Sequence, residues 1–165
     1  MNFESNQTEE TWHSWKDKSY RVPAQSSNQF SFDQASKKTK RYFELAINGA
    51  LLSTYGSIRH GAILVKGGSV INTGFNKQNF SSFGSRFRDK AIGYATQHAE
   101  ISAIFGIPKT TTSGGDIYVV RIGKGNELRI SKPCDMCDQI LDFVGIKRVF
   151  YSIDENHYGM YKIGK

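Results

Sequence analysis

Three times along this chain a helical spacing of apolar residues gives way to a strand-like run, and that alternation limits the fold more than any other feature. Phe43, Ala46, Ile47, Ala50 and Leu51 recur on one helical face, which predicts a helix from about Asp33 or Ser36 to Ser53. Arg59–Val65 and Val70–Asn76 then read as two strands, and Lys66-Gly67-Gly68-Ser69 between them supplies glycines for a tight hairpin. Gln97 to about Phe105 reads as a helix that stops at Gly106 and Pro108, followed by a third strand over Asp116–Ile122. Pro133 opens a further helix to about Val144, stopped by Gly145, and Lys147–Ser152 is a fourth strand. His157–Lys165 forms a short fifth. This order predicts an α/β domain built on a central mixed five-stranded sheet. A right-handed crossover through the helix at Pro133 makes the third and fourth strands parallel.

A chain of 165 residues is long enough for one domain with its own core. Residues 1–32 are rich in Ser, Gln, Asn, Lys and Glu with scattered aromatics, among them Trp12, Trp15, Phe30 and Phe32. They read as a polar N-terminal extension whose aromatics dock parts of it on the domain of residues 33–165. No run reaches the roughly 18 apolar residues of a membrane span. The first twenty residues lack the basic start and apolar stretch of a secretory signal, so an intracellular, cytoplasmic protein without membrane partners is expected.

The two cysteines sit in Pro133-Cys134-Asp135-Met136-Cys137, which excludes a disulfide framework and leaves a metal site, a redox pair or buried thiols. At i and i+3 they share one helix face, and the positive end of the helix dipole favours thiolates there. A metal needs a third ligand. Of the four histidines His13, His60, His98 and His157, His98 stands out because Glu100 follows it at a predicted helix start. Two thiolates and one imidazole leave the fourth corner of a zinc tetrahedron open, which is the pattern of a catalytic site holding one Zn²⁺ per chain. Zinc makes hydroxide available near neutral pH, and a neighbouring carboxylate can protonate a ring nitrogen and carry a proton to a departing amine. Residues at i and i+2 of a regular helix point about 200° apart, so His98 and Glu100 can serve one site only at the helix's first turn.

His98-Ala99-Glu100 followed by Pro133-Cys134-Asp135-Met136-Cys137 resembles the zinc signature of the cytidine and deoxycytidylate deaminase superfamily, H-x-E…P-C-x-x-C. The likeness runs from about Asp33 to Ser152 and implies a three-layer fold with helices on both faces of the sheet. It implies His98, Cys134 and Cys137 as ligands, Glu100 as the proton shuttle, and Ala99 as the residue whose backbone N–H meets the base. It also implies a homo-oligomer and extends the substrate pocket to Asn76, Ser131, Pro133 and Tyr151. Asn76 would contact the sugar, against the common alternative of a strand-end turn. Tyr151, Asp154, His157 and Tyr158 would border the pocket, against an ordinary polar turn. His60 is set aside as a hydrogen-bonded strand histidine.

The expected reaction is hydrolysis of cytosine to uracil and ammonia in a nucleoside or nucleotide. A second reading is a polynucleotide deaminase acting on cytosine or adenine in single-stranded DNA or RNA. The net charge of +7 and the loop over residues 77–90, where Lys77, Arg86, Arg88 and Lys90 alternate with Phe80, Phe83 and Phe87, favour it. That loop could equally hold one nucleotide's phosphate, or anchor itself by its rings. Met136 recurs in the tRNA-adenosine and free-cytosine branches, but Asp138-Gln139 stands where those branches often have glycine-alanine. A third reading, a silent zinc-bearing nucleic-acid module, has no use for Glu100.

Overall fold

The computed structural model describes residues 27–56, 58–87 and 96–164. In chain order the elements are β1 (Asn28–Ser31), α1 (Lys37–Ala50), β2 (Arg59–Lys66), β3 (Ser69–Phe75), β4 (Lys77–Phe80), α2 (Ser82–Ser85), β5 (Thr96–Gln97), α3 (Ala99–Ile104), α4 (Lys109–Thr112), β6 (Asp116–Ile122), β7 (Leu128–Arg129), α5 (Asp135–Phe143), β8 (Arg148–Ser152) and β9 (His157–Lys162). The main sheet runs β1-β9-β8-β6-β2-β3, with β7 paired to β6. Among the described residues its one parallel pair is β6 with β8, as the crossover through α5 requires. Five of its strands are the expected ones. β1, at one edge, and the two-residue β7 are additions that no apolar alternation announced.

Alternation along the central strands divides the core into two layers. Ile63, Val65, Tyr118, Val120, Ile122 and Phe150 face α1, whereas Ala62, Leu64, Ile117, Val119, Val149 and Tyr151 face α3 and α5. Both faces of β2 and β6 are covered, so these strands read as nearly unbroken apolar runs.

Ser36 caps α1 by accepting a hydrogen bond from the Thr39 N–H at 3.1 Å. The helix buries Tyr42, Phe43, Ala46, Gly49 and Ala50; of the predicted apolar face, Ile47 is only half-buried and Leu51, at the C-cap, is exposed. Tyr118 stacks on Phe150 at 4.3 Å, and Phe43 meets Tyr118 edge-on at 5.3 Å. Phe30 and Phe32, at the end of the polar extension, lie on Tyr158. Gly67 and Gly68 close the β2–β3 hairpin with φ of 58° and 79°, the left-handed pair that a two-residue turn demands. No helix among the described residues is long and apolar enough to cross a membrane.

Candidate metal centre and active site

Two helices begin side by side at the site, and each begins on a cysteine or histidine. His98 is the N-cap of α3 and Cys134 the N-cap of α5, both in extended backbone and neither with a side-chain cap bond. This corrects one expectation: Pro133 does not occupy the first helical turn but lies buried one residue before the cap. The extended cap also meets the geometric demand on His98 and Glu100. With His98 outside the helix, the opposition of i and i+2 in a regular helix does not apply.

His98 Nδ1 lies 3.7 Å from Cys134 Sγ and 3.4 Å from Cys137 Sγ. All three atoms fall within 4.8 Å of one another. Tetrahedral zinc with ordinary Zn–S and Zn–N bonds places N and S about 3.5 Å apart, so this donor set fits that ion. The contact with Cys137, aided by His98, holds the Cys134 thiol well below its ordinary range. The same contact and burial push Cys137 well above it. Glu100 is 3% exposed, and its Oε1 is buried without a hydrogen-bond partner. Burial raises its carboxyl to about 7, with His98 opposing and the Cys134 charge reinforcing.

The remaining pocket residues divide. Ala99, wholly buried, is the first residue of α3, where backbone N–H groups have no intrahelical acceptor. Asn76 accepts from the His60 N–H at 2.9 Å and donates to the Ile58 carbonyl at 2.8 Å. Its amide therefore pins the start of β2 and keeps one N–H and one lone pair for other use.

The Ser131 hydroxyl is engaged within the sheet. The hydroxyl donates to the Val119 carbonyl at 2.8 Å and accepts from the Ser152 N–H at 2.9 Å, clamping the entry of α5 to β6 and β8. Tyr151, 3% exposed, lies with its ring over Gly159 across the β8–β9 pair, where a Cβ would fall 2.3 Å from its Cζ. Asp154 and His157 pair with each other at 2.9 Å in the β8–β9 turn, and Tyr158 packs toward α1.

A family model described as the cytidine and deoxycytidylate deaminase zinc-binding region matches residues 36–153. The chain belongs to that family. Zinc is the cofactor of this deaminase, and its chemistry is of the cytidine deaminase type. No curated protein matches it significantly in sequence. Among solved structures, dCMP deaminase from the cyanophage S-TIM5 is similar over 72% of this chain and 84% of its own, with 22% identity and a TM-score of 0.49. RibD from Acinetobacter baumannii is similar over 70% of this chain and 28% of its own, with 20% identity and a TM-score of 0.44. A mutant cytidine deaminase from Mycobacterium tuberculosis is similar over 70% and 89%, with 22% identity and a TM-score of 0.44.

In the deaminase, part of the basic loop is accounted for by packing. Phe83 and Phe87 pack on each other at 5.7 Å, Phe87 on Phe143 at 5.6 Å and Phe83 on Phe105 at 6.4 Å, so these rings are anchors. Arg86 sits 5.8 Å over Phe83, and Lys77 sits 4.8 Å over Phe75. Arg88 and Lys90 lie outside the described residues, as do the Phe80 side chain, His13, Trp12 and Trp15.

Around the cluster stand Asp138, which the sequence did not single out, and His60, which the sequence reading set aside as a hydrogen-bonded strand histidine. Burial holds the Asp138 carboxyl up at about 6, and it accepts a hydrogen bond from the Tyr161 hydroxyl. Its place directly after Cys137 was the available signal. His60 carries a buried Nε2 without a partner, and burial, Arg121 and His98 lower its pKa to about 4.

Between pH 6.5 and about 4, then, the unfolded chain protonates His60 and the native state does not, so stability falls as pH drops through that window. The full loss from this group is up to about 3 kcal/mol. In zinc-free protein, urea midpoints at pH 7 and pH 4 should fall further for the wild type than for His60→Gln. Equal falls would remove His60 as the cause.

Proposed function

We propose that this chain hydrolyses the exocyclic amine of cytosine in a nucleoside or nucleotide, releasing ammonia and leaving uracil. The observation that carries this reading is the buried Glu100 carboxyl, whose Oε1 has no partner, beside the three-donor cluster of His98, Cys134 and Cys137. Those three residues would hold zinc, which when bound supplies the Lewis acidity that makes water nucleophilic near neutral pH. Glu100 takes a proton from the attacking water and delivers it to N3 of the base. It then carries a proton to the departing amine, so one carboxyl serves both transfers. The Ala99 N–H, free of an intrahelical acceptor, is available to the base carbonyl. Burial around Glu100 excludes bulk water and strengthens its hydrogen bonds. The remaining N–H and lone pair of Asn76 suit a sugar hydroxyl.

Purified zinc-loaded protein should release ammonia from at least one of cytidine, deoxycytidine and their 5′-monophosphates. Turnover confined to single-stranded DNA or RNA would replace this reading by polynucleotide deamination. Absence of turnover on every substrate, with zinc bound, would overturn it.

A further inference from the structure

We propose that Arg121 binds a phosphate ester of the substrate, so that this site selects a nucleotide over the corresponding nucleoside. This inference rests on the deamination proposed above and adds the substrate's charged group to it.

Arg121 lies near the carboxyl end of β6, directly across from His60 on β2 and from Arg129 on β7. Ile117 and Val119 of the same strand face α3 and α5, and so by alternation does Arg121. Ala62 and Leu64 place His60 on that same face. His98 and Cys134 both act electrostatically on His60, as does Arg121, which sets the guanidinium at the metal-cluster end of the sheet. The carboxyl ends of parallel strands such as β6 and β8 are where α/β sheets bind ligands.

The neighbouring arginines are engaged at their terminal nitrogens, although the Nε of Arg59, like that of Arg121, is buried without a partner. Arg59 donates to the Gly123 carbonyl and to Asn126 Oδ1, both at 2.6 Å, and Arg129 pairs with Glu127 at 3.0 Å. Among the described residues no carboxylate or carbonyl meets the Arg121 guanidinium, and its Nε is buried without a partner. Arg121 is half-buried, and a ligand that brings a countercharge would engage the guanidinium there. The planar fork of Arg matches phosphate oxygens two at a time, which a hydroxyl cannot imitate. The net charge of +7 favours the encounter at long range.

The test compares wild type, Arg121→Gln and Arg121→Lys as zinc-loaded protein on deoxycytidine, deoxycytidine 5′-monophosphate and a single-stranded oligonucleotide bearing one cytosine. For Arg121→Gln the ratio of kcat/KM for the monophosphate to that for deoxycytidine should fall about 10- to 100-fold, the loss expected for charge-assisted hydrogen bonds. Arg121→Lys should fall between the two, and it stands in if the glutamine variant does not fold. A matching loss confined to the oligonucleotide would assign the phosphate to a polymer backbone and still support the inference. An unchanged ratio on monophosphate and oligonucleotide alike would overturn it, because a merely structural arginine affects all substrates equally. Lack of any turnover by wild type would instead defeat the deamination reading. Calorimetric titration with inorganic phosphate would then decide for Arg121: weaker binding by Arg121→Gln supports the inference, and equal binding rejects it.

Discussion

Glu100→Gln will keep its zinc and lose its turnover, with kcat falling about 10³- to 10⁴-fold, the upper range for general acid–base catalysis. Glutamine has the shape of glutamate and fits the same buried place at the start of α3, so the fold and the donor cluster have no reason to change. What it cannot do is accept a proton and give it back. Both proton transfers proposed for the reaction pass through this side chain, whose Oε1 has no protein partner to share the task. Asp138, the acid that directly follows Cys137, is engaged by the Tyr161 hydroxyl. Ammonia release and metal content, measured on one preparation, read the two halves separately. More than about a tenth of wild-type kcat in this variant would place the shuttle elsewhere.

Gly74→Ala is expected to unseat the site from below. A Cβ at Gly74 would stand 2.4 Å from the Ala103 nitrogen and 2.7 Å from the Ala99 carbonyl oxygen. Both atoms belong to the backbone of α3, so no rotamer change relieves the clash. The helix that carries Glu100 and follows His98 must lift off β3. Gly61 offers the matching control on the opposite face of the sheet. Its Cβ would stand 2.0 Å from the Ala46 carbonyl oxygen of α1, a helix that carries no ligand. Each substitution should cost about 3 kcal/mol or more, at the severe end of overpacking. Only Gly74→Ala should also weaken zinc binding, by about tenfold or more, as misplaced supports of ligands do. Urea midpoints and competition with a zinc-binding dye measure the pair. A Gly74→Ala protein with wild-type zinc affinity would show that α3 is not seated by this contact.

Long apolar-periodic segments were legible in the sequence, as were rare residue types. Phe43, Ala46 and Ala50 marked α1, Gly67 and Gly68 marked the hairpin, and the apolar run from Ile117 to Ile122 marked β6. The donor set was legible because the chain has two cysteines and one histidine followed closely by an acid. Short elements were not. β1 is Asn-Gln-Phe-Ser at an edge, β7 is two residues, and neither carries a period.

Side-chain partners were legible as types and not as choices. The Ser131 hydroxyl joins β6 and β8, a choice of partner that tertiary pairing alone reveals. Pro133 was read as a helix opener because proline suits the first turn; the cap falls on Cys134 instead, where the chain is still extended. His60 and Arg121 lie far apart in sequence, and only the β2–β6 register sets them opposite each other.

The two uncapped helix starts bear on how such a site persists. Ser36 and Ser81 cap α1 and α2 with their hydroxyls, whereas His98 and Cys134 leave that service undone for α3 and α5. A good cap is worth about 1 kcal/mol, so a serine at either position is the better residue for the helix and the wrong one for the metal. Selection for thermal stability alone would therefore erode the centre one ligand at a time, while the sheet beneath it stayed whole. The donor cluster and the helix starts therefore compete for the same two positions.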